Sequence, residues 1–125
     1  MKFIGFLFVI FITLSSTIKA DSNKDLKKEL LDGGKLIFIR HAYAPGGGDP
    51  DNFNINECNT QRNLSDRGKK QAIRIKNFFI ENQIQKYEVF SSEWCRCKET
   101  ASLVFGKFKT KKFLNSFYSP KFEKN

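Results

Sequence analysis

The sequence predicts an α/β fold, and two observations support that prediction. Residues 36–39 are four β-prone apolar residues without polar alternation, the pattern of a strand that is buried on both faces of a sheet. Arg40 and His41 follow at the carboxyl end of this strand, where ligands bind in open α/β sheets. We therefore expect a sheet whose edge carries this Arg-His pair.

A helix before this strand and a long loop after it are the next predicted elements. Residues 22–31 place leucines on one helical face, and the glycines at positions 33 and 34 end that helix. Residues 44–61 contain a run of proline and glycine and have no periodic apolar pattern, so they predict a loop. Its length favours a flexible lid or a plain linker.

Two further helices and two further strands are predicted in the second half of the chain. Ser65 is expected to cap a helix that extends to about Asn82. The stripe of this helix that faces inward is predicted to be Ala72, Ile75, Phe78 and Phe79. The later predicted elements are a strand at residues 87–92, a helix at residues 96–105 closed by Gly106, and a third strand at residues 112–117.

The first twenty residues have the layout of a secretory signal peptide. Lys2 supplies the positive start, residues 3–14 form an apolar run, and Ala20 is the expected cleavage point. The apolar run is shorter than the roughly 20 residues of a membrane-spanning helix, so cleavage is favoured over an uncleaved anchor. We therefore expect one exported domain at residues 21–125, periplasmic or secreted, without a stable membrane anchor.

The chain is basic, with a formal net charge of +9. Loss of Lys2 and Lys19 with the signal peptide leaves +7, since residues 1–20 contain no acidic side chain. A basic surface attracts anions such as phosphate esters. The lysines and arginines are spread along the whole chain without a nucleic-acid motif, so we expect no specific binding of nucleic acid.

Arg40 and His41 are the first candidates for chemistry. A guanidinium binds two phosphate oxygens in a bidentate manner, and a neutral imidazole nitrogen can attack phosphorus. The alternative is that the pair is only the polar edge of a strand. With a single histidine and the tight spacing of Cys95 and Cys97, the sequence predicts no metal site.

Three segments, in the same order and spacing, resemble the histidine phosphatase superfamily of phosphoglycerate-mutase-like enzymes. They are GGKLIFIRHA at residues 33–42, RNLSDRGKKQA at residues 62–72 and VFSSEWCRCKETA at residues 89–101. The resemblance implies a three-layer sandwich with a mainly parallel sheet. It also implies that the last strand or strands and a helix are missing, because the family's second pocket histidine lies on a later strand and has no counterpart here.

The resemblance implies a phosphatase that needs no cofactor and acts on a small phosphorylated substrate or a phosphoprotein. His41 would attack the phosphoryl group and form a phosphohistidine, and Arg40 and Arg96 would bind the phosphoryl oxygens and keep the histidine neutral. Arg62 is either a further substrate contact or a rim residue in an ion pair.

The proton donor stays open. The family's glutamate aligns with Ser116, and the alternative donors are Asp49, Asp51 and Glu123. Helix N-termini near Ser65 and Arg96 could add backbone donors for the anion. Without a proton donor, the alternative function is that of a non-catalytic phosphate-binding protein, a truncated relic of such an enzyme.

Disulfide formation is expected in an exported chain. The resemblance brings Cys58 and Cys95 to the same pocket rim, which implies a bridge that braces the site. On spacing alone Cys97 is an equal partner for Cys58. If one cysteine packs as a small core residue, Cys97 is the expected one.

Overall fold

A computed structural model describes residues 22–115 of the chain. Its elements are α1 (Ser22–Asp32), a 3-10 helix (Cys58–Thr60), α2 (Asp66–Glu81), β1 (Phe90–Ser91), α3 (Cys95–Phe105), β2 (Lys109–Thr110) and a second 3-10 helix (Lys112–Leu114). β1 and β2 pair in parallel, with Phe90 opposite Lys109. The described chain is therefore mixed α/β with a small parallel sheet, as predicted at this coarse level. The predicted signal peptide lies outside the described residues.

Helices α2 and α3 are present where the local sequence signals predicted them. Ser65 caps α2, and its side-chain oxygen accepts a hydrogen bond from the Gly68 N–H. α3 ends at Gly106, whose φ of 75° is a conformation that suits glycine. Within residues 22–115, no helix has the length and apolar character needed to cross a membrane.

The two helices pack on each other and enclose the main apolar core. Its buried members are Ala42, Ala44, Leu64, Ala72 and Val104. In the predicted stripe of α2, Ala72 and Phe79 are buried, while Ile75 and Phe78 are partly buried. The ring of Phe79 makes edge-to-face contacts with Tyr87 and Phe105, which extends the core toward β1.

The prediction of a doubly buried strand at residues 36–39 is wrong for this structure. Leu36 is 88% exposed and Phe38 is 85% exposed, and the segment forms no strand. A strand needs a neighbouring strand to receive its backbone hydrogen bonds. In the described part of the chain, β1 is paired with β2, and no strand pairs with residues 36–39.

The two later strand predictions are shifted. Residues 87–92 contain only the short strand β1, and residues 112–114 form a 3-10 helix instead of a strand. The cause is the register of the parallel pair: Lys109 N–H donates to Val89 O, and Lys111 N–H donates to Ser91 O. These bonds use residues 109–111 as the partner of β1, so the strand lies earlier than the apolar residues suggested.

Candidate active site

The backbone that follows His41 is held by both large helices. The Ala42 N–H donates to Thr100 Oγ1 on α3 at 3.0 Å, and this bond is buried. The Tyr43 N–H donates to Gln71 Oε1 on α2 at 2.9 Å. The carbonyl oxygen of Tyr43 accepts a hydrogen bond from the Ser65 N–H at the start of α2, at 3.2 Å. The position of this segment therefore depends on side chains of two helices and not on a sheet.

Gly68 allows the first turn of α2 to approach Tyr43 closely. A Cβ atom built at position 68 would lie 2.1 Å from Tyr43 O and 2.9 Å from the Tyr43 carbonyl carbon. Real Cβ atoms do not tolerate such contacts, so only glycine fits here without a shift of backbone. The Leu-Ser-Asp-Arg-Gly run thus combines a helix cap with a contact to the candidate site.

His41 is half-buried, and its ring is oriented by its neighbour. Its Nδ1 lies 2.7 Å from Ala42 O. A carbonyl oxygen only accepts hydrogen bonds, so Nδ1 carries the proton in this contact and Nε2 of the neutral ring keeps its lone pair. This is the tautomer that a nucleophilic histidine requires.

The surroundings of His41 favour its neutral form. Burial is the largest cause that lowers its pKa below the usual value of 6.5, while the hydrogen bond to Ala42 O acts in the opposite direction. The positive charges of Arg96, Arg62 and Arg40 lower the pKa of His41 further. The three arginines named from the sequence therefore all act electrostatically on this ring.

Arg96 is buried at the start of α3 and is held from several sides. Its NH1 nitrogen donates to Asp49 Oδ1 at 2.9 Å and, more weakly, to Arg62 O at 3.4 Å. Its guanidinium lies over the ring of Trp94, 4.3 Å from the centroid. The position of this charge is thus determined by an ion pair, a backbone oxygen and an aromatic face.

Arg62 and Arg40 differ in their surroundings. The guanidinium of Arg62 donates from NH1 to Ala44 O and to Gly46 O, both at 2.9 Å, so it braces the glycine-rich loop. The structure therefore places Arg62 in backbone contacts rather than in the ion pair considered from the sequence. Arg40 is exposed and forms no ion pair with another described residue.

The disulfide joins Cys58 to Cys95, the pairing that the resemblance implied. The sulfur atoms are 2.00 Å apart and the Cα atoms 5.6 Å apart, while Cys97 is a free, half-buried cysteine beside the stacked Phe53 and Trp94. The Cys95 N–H also donates to Gln61 Oε1 at 2.9 Å. The loop at residues 44–61 is therefore tied to the first turn of α3 both by a covalent bond and by a hydrogen bond.

The two helix N-termini already use backbone donors within the chain. The Gly68 N–H is bound by the Ser65 side chain, and the Cys95 N–H is bound by Gln61. Among residues 22–115, no three histidine, cysteine, aspartate or glutamate side chains come together in a way that could hold a metal ion.

Sequence reasoning did not identify Thr100, Gln61 and Gln71 as supports of the site, and it considered Asp49 only as a proton donor. Asp49 instead accepts hydrogen bonds from the Arg62 N–H and from Arg96, the arrangement of an ion-pair partner. The sequence signal for it is weak, because a carboxylate in an irregular glycine-rich loop has no periodicity that reveals burial. Ser116 and Glu123 lie outside the described residues.

No protein-family profile matches the chain. No solved structure matches it either. A 40-residue stretch of the chain is 42% identical to "Cyclase-like protein 1" of Arabidopsis thaliana. This stretch makes up 32% of the present chain and 16% of that protein. Since the chain spans less than a fifth of that relative, the similarity assigns no family.

Proposed function

We propose that the protein hydrolyses phosphomonoesters through a phosphohistidine on His41. The observation that carries this proposal is the state of His41: a half-buried ring whose Nδ1 is bound by Ala42 O and whose pKa is lowered by burial and by three arginines. A neutral imidazole with a defined tautomer, placed in a positive field, is suited to attack a phosphoryl group. The resemblance to the histidine phosphatase superfamily supports the same reaction.

The reaction proceeds in two displacements at phosphorus. Nε2 of His41 forms a bond to phosphorus while the bond to the leaving oxygen breaks, and the departing alkoxide or phenoxide takes a proton from solvent water. Water then attacks the phosphohistidine, the bond between phosphorus and Nε2 breaks, and inorganic phosphate leaves. Throughout, the Nδ1–H remains hydrogen-bonded to Ala42 O, which stabilises the positive charge of the phosphorylated ring.

The arginines bind the phosphoryl oxygens and oppose their charge. Arg96 is buried, and a charge in such surroundings is more effective than one in water. Arg40 precedes His41 in the chain and is exposed, so it binds the substrate from the solvent side. Arg62 contributes mainly by holding the glycine-rich loop through its bonds to Ala44 and Gly46.

The finer fold and the location of the protein are part of the same proposal. The domain is a phosphoglycerate-mutase-like three-layer sandwich with a mainly parallel sheet, of which β1 and β2 are one parallel pair. The protein is exported after loss of residues 1–20, which is compatible with the Cys58–Cys95 disulfide because such bonds persist outside the cytosol.

A second candidate function is phosphate binding without turnover. It is favoured by one observation: the carboxylate of Asp49 is already bound to Arg96 and is not placed as an acid for a leaving group. General acid catalysis is commonly worth about 100-fold or more, so esters with poor leaving groups would react slowly. Aryl phosphates depend less on an acid and are the suitable test substrates.

The test is hydrolysis of p-nitrophenyl phosphate by the oxidised, purified protein, with thermal unfolding to show that each variant folds. His41→Ala is expected to abolish turnover, and Arg96→Ala to lower both phosphate affinity and rate. Arg74→Ala is the matched control, because it removes one exposed arginine of α2 that is not among the three arginines acting on the pKa of His41, and it is expected to leave turnover unchanged.

The outcomes separate the two candidates. Acid-labile phosphate on the parent but not on His41→Ala supports the phosphohistidine route. A folded parent that binds inorganic phosphate without turnover supports the binding protein. A His41→Ala variant that retains the turnover of the parent contradicts the proposed mechanism.

A further inference from the structure

The carboxylate of Asp49 is the most notable buried charge that the proposed reaction does not use. Its side chain is 1% exposed, although it belongs to the irregular glycine-rich loop. Its Oδ1 atom accepts from Arg96 NH1 at 2.9 Å and from the Arg62 N–H at 2.8 Å. One oxygen atom therefore joins a phosphate-binding arginine of α3 to the chain segment that enters α2.

A charge in such a place must be compensated. Burying a carboxylate without a partner is costly, and removing one partner of a buried ion pair usually destabilises a protein strongly. Asp49 and Arg96 are separated by 47 positions in the sequence and are brought into contact by the fold. The simplest physical role of this contact is to hold the Arg96 guanidinium in one orientation.

The contact leaves the arginines with donors for a second anion. Arg96 uses NH1 for Asp49, and a guanidinium carries five N–H groups. The Nε atoms of Arg96 and Arg62 are buried, and neither has a hydrogen-bond partner within the described part of the chain. Asp49 carries one negative charge, whereas Arg96 and Arg62 carry two positive charges that both act on the pKa of His41.

We propose that Asp49 is a positioning residue of the anion site, which fixes the Arg96 guanidinium for the phosphoryl group of the substrate while the Arg62 N–H holds the Asp49 carboxylate in place. The proposal rests on the proposed function, in which Arg96 binds the phosphoryl oxygens. It differs from a competing role, in which Asp49 occupies Arg96 and has to leave before a phosphate binds. The two roles predict opposite changes in phosphate affinity when the carboxylate is removed.

The decisive variant is Asp49→Asn. Asparagine keeps the size of the side chain and an oxygen that can accept the Arg62 N–H, but it gives up the charge that orients Arg96. Glu57→Gln is the matched control: it removes one exposed negative charge of the same loop and retains an oxygen for its contact with Asn54 Nδ2.

Two readouts separate a positioning role from a general loss of folding. Trp94 is the single tryptophan of the chain, and Arg96 lies over its ring, so its fluorescence reports the place of the guanidinium and the binding of inorganic phosphate. Steady-state kinetics with p-nitrophenyl phosphate give kcat and KM separately. Asp49→Asn is expected to change Trp94 emission and to weaken phosphate binding about tenfold, with kcat lowered as well. Glu57→Gln is expected to match the parent in both.

Unchanged or tighter phosphate binding by folded Asp49→Asn would overturn the proposal, and tighter binding would show that Asp49 competes with the ligand. If Asp49→Asn does not fold, the parent alone decides through the NMR signal of the Asp49 carboxylate carbon during titration with inorganic phosphate. A chemical shift that stays unchanged as phosphate binds supports the positioning role. A chemical shift that changes to the value of a carboxylate without an ion-pair partner overturns it. A parent that neither binds nor hydrolyses phosphate contradicts the proposed function itself, which is a different result.

Discussion

Two neighbouring segments of the chain, residues 36–39 and residues 42–44, have opposite surroundings. The first contains only large apolar side chains, yet Leu36 and Phe38 are almost fully exposed. The second lies in the loop that follows, yet Ala42 is 2% exposed and Ala44 is 5% exposed. Apolar character alone does not decide which of the two is buried.

The difference lies in the partners that each segment finds. Residues 42–44 meet hydrogen-bonding side chains of α2 and α3 and join the core between the two helices. Residues 36–39 have no neighbouring strand in the described part of the chain. Helix side chains can thus position a site segment even where the strand that leads into it is not paired.

The largest expected loss of stability comes from Gly68→Ala, because this change disrupts the packing of α2 against residues 42–44. The new Cβ would lie 2.1 Å from Tyr43 O, so either α2 or the segment has to move. We expect a loss of about 3 kcal/mol in the free energy of unfolding, measured by guanidinium chloride titration followed through Trp94 fluorescence. Gly47→Ala is the control, because a Cβ there meets nothing within 4 Å. A Gly68→Ala protein as stable as this control would contradict the close approach.

Thr100→Val removes a single support while it keeps the shape of the side chain. The Ala42 N–H would lose its buried acceptor, and an unpaired buried donor costs about 1–3 kcal/mol. We expect a loss of about 2 kcal/mol in the same unfolding experiment. Ser102→Ala, an exposed change on the same helix, is expected to have little effect. Equal stability of the two variants would show that the bond to Ala42 does not hold the segment.

A smaller effect is expected in the pH dependence of stability. The pKa of His41 is lowered in the folded protein, so the unfolded chain takes up a proton first as the pH falls below about 6.5. The contribution of His41 to stability is therefore present above this pH and is lost as the pH falls toward the folded pKa. We expect the melting temperature of the parent to decrease more between pH 8 and pH 5.5 than that of His41→Ala. Parallel curves would contradict the lowered pKa.

The smallest effect is expected from the double change Leu36→Ser and Phe38→Ser. Both side chains are more than four-fifths exposed, and such surface changes usually alter the free energy of unfolding by less than about 0.5 kcal/mol. The Thr100→Val measurement shows that the assay detects larger losses. A decrease of more than about 1 kcal/mol would indicate that residues 36–39 do pack against a partner, and it would remove the contrast with residues 42–44.

The local features of the fold were predictable because each depends on residues close in sequence. The Ser65 cap, the helical periodicity of α2, the Gly106 stop and the proline-glycine loop all follow from short-range steric and hydrogen-bonding rules. His41 and Arg96 could be named as candidates because their motifs are short strings, and their catalytic roles stay predictions. The prediction of a buried strand at residues 36–39 failed because a strand depends on a hydrogen-bonded ladder with a distant segment, which local sequence does not reveal.

The sequence by itself determined the helices, the loop and the residues that carry candidate chemistry. Only the tertiary structure decided that Asp49 pairs with Arg96, that Thr100 holds Ala42, and that Cys58 bonds to Cys95 instead of Cys97. The physical reason is distance along the chain: Ala42 and Thr100 are separated by 58 positions and Asp49 and Arg96 by 47. Such contacts arise from the packing of α2, α3 and the loop together, and no local pattern encodes them.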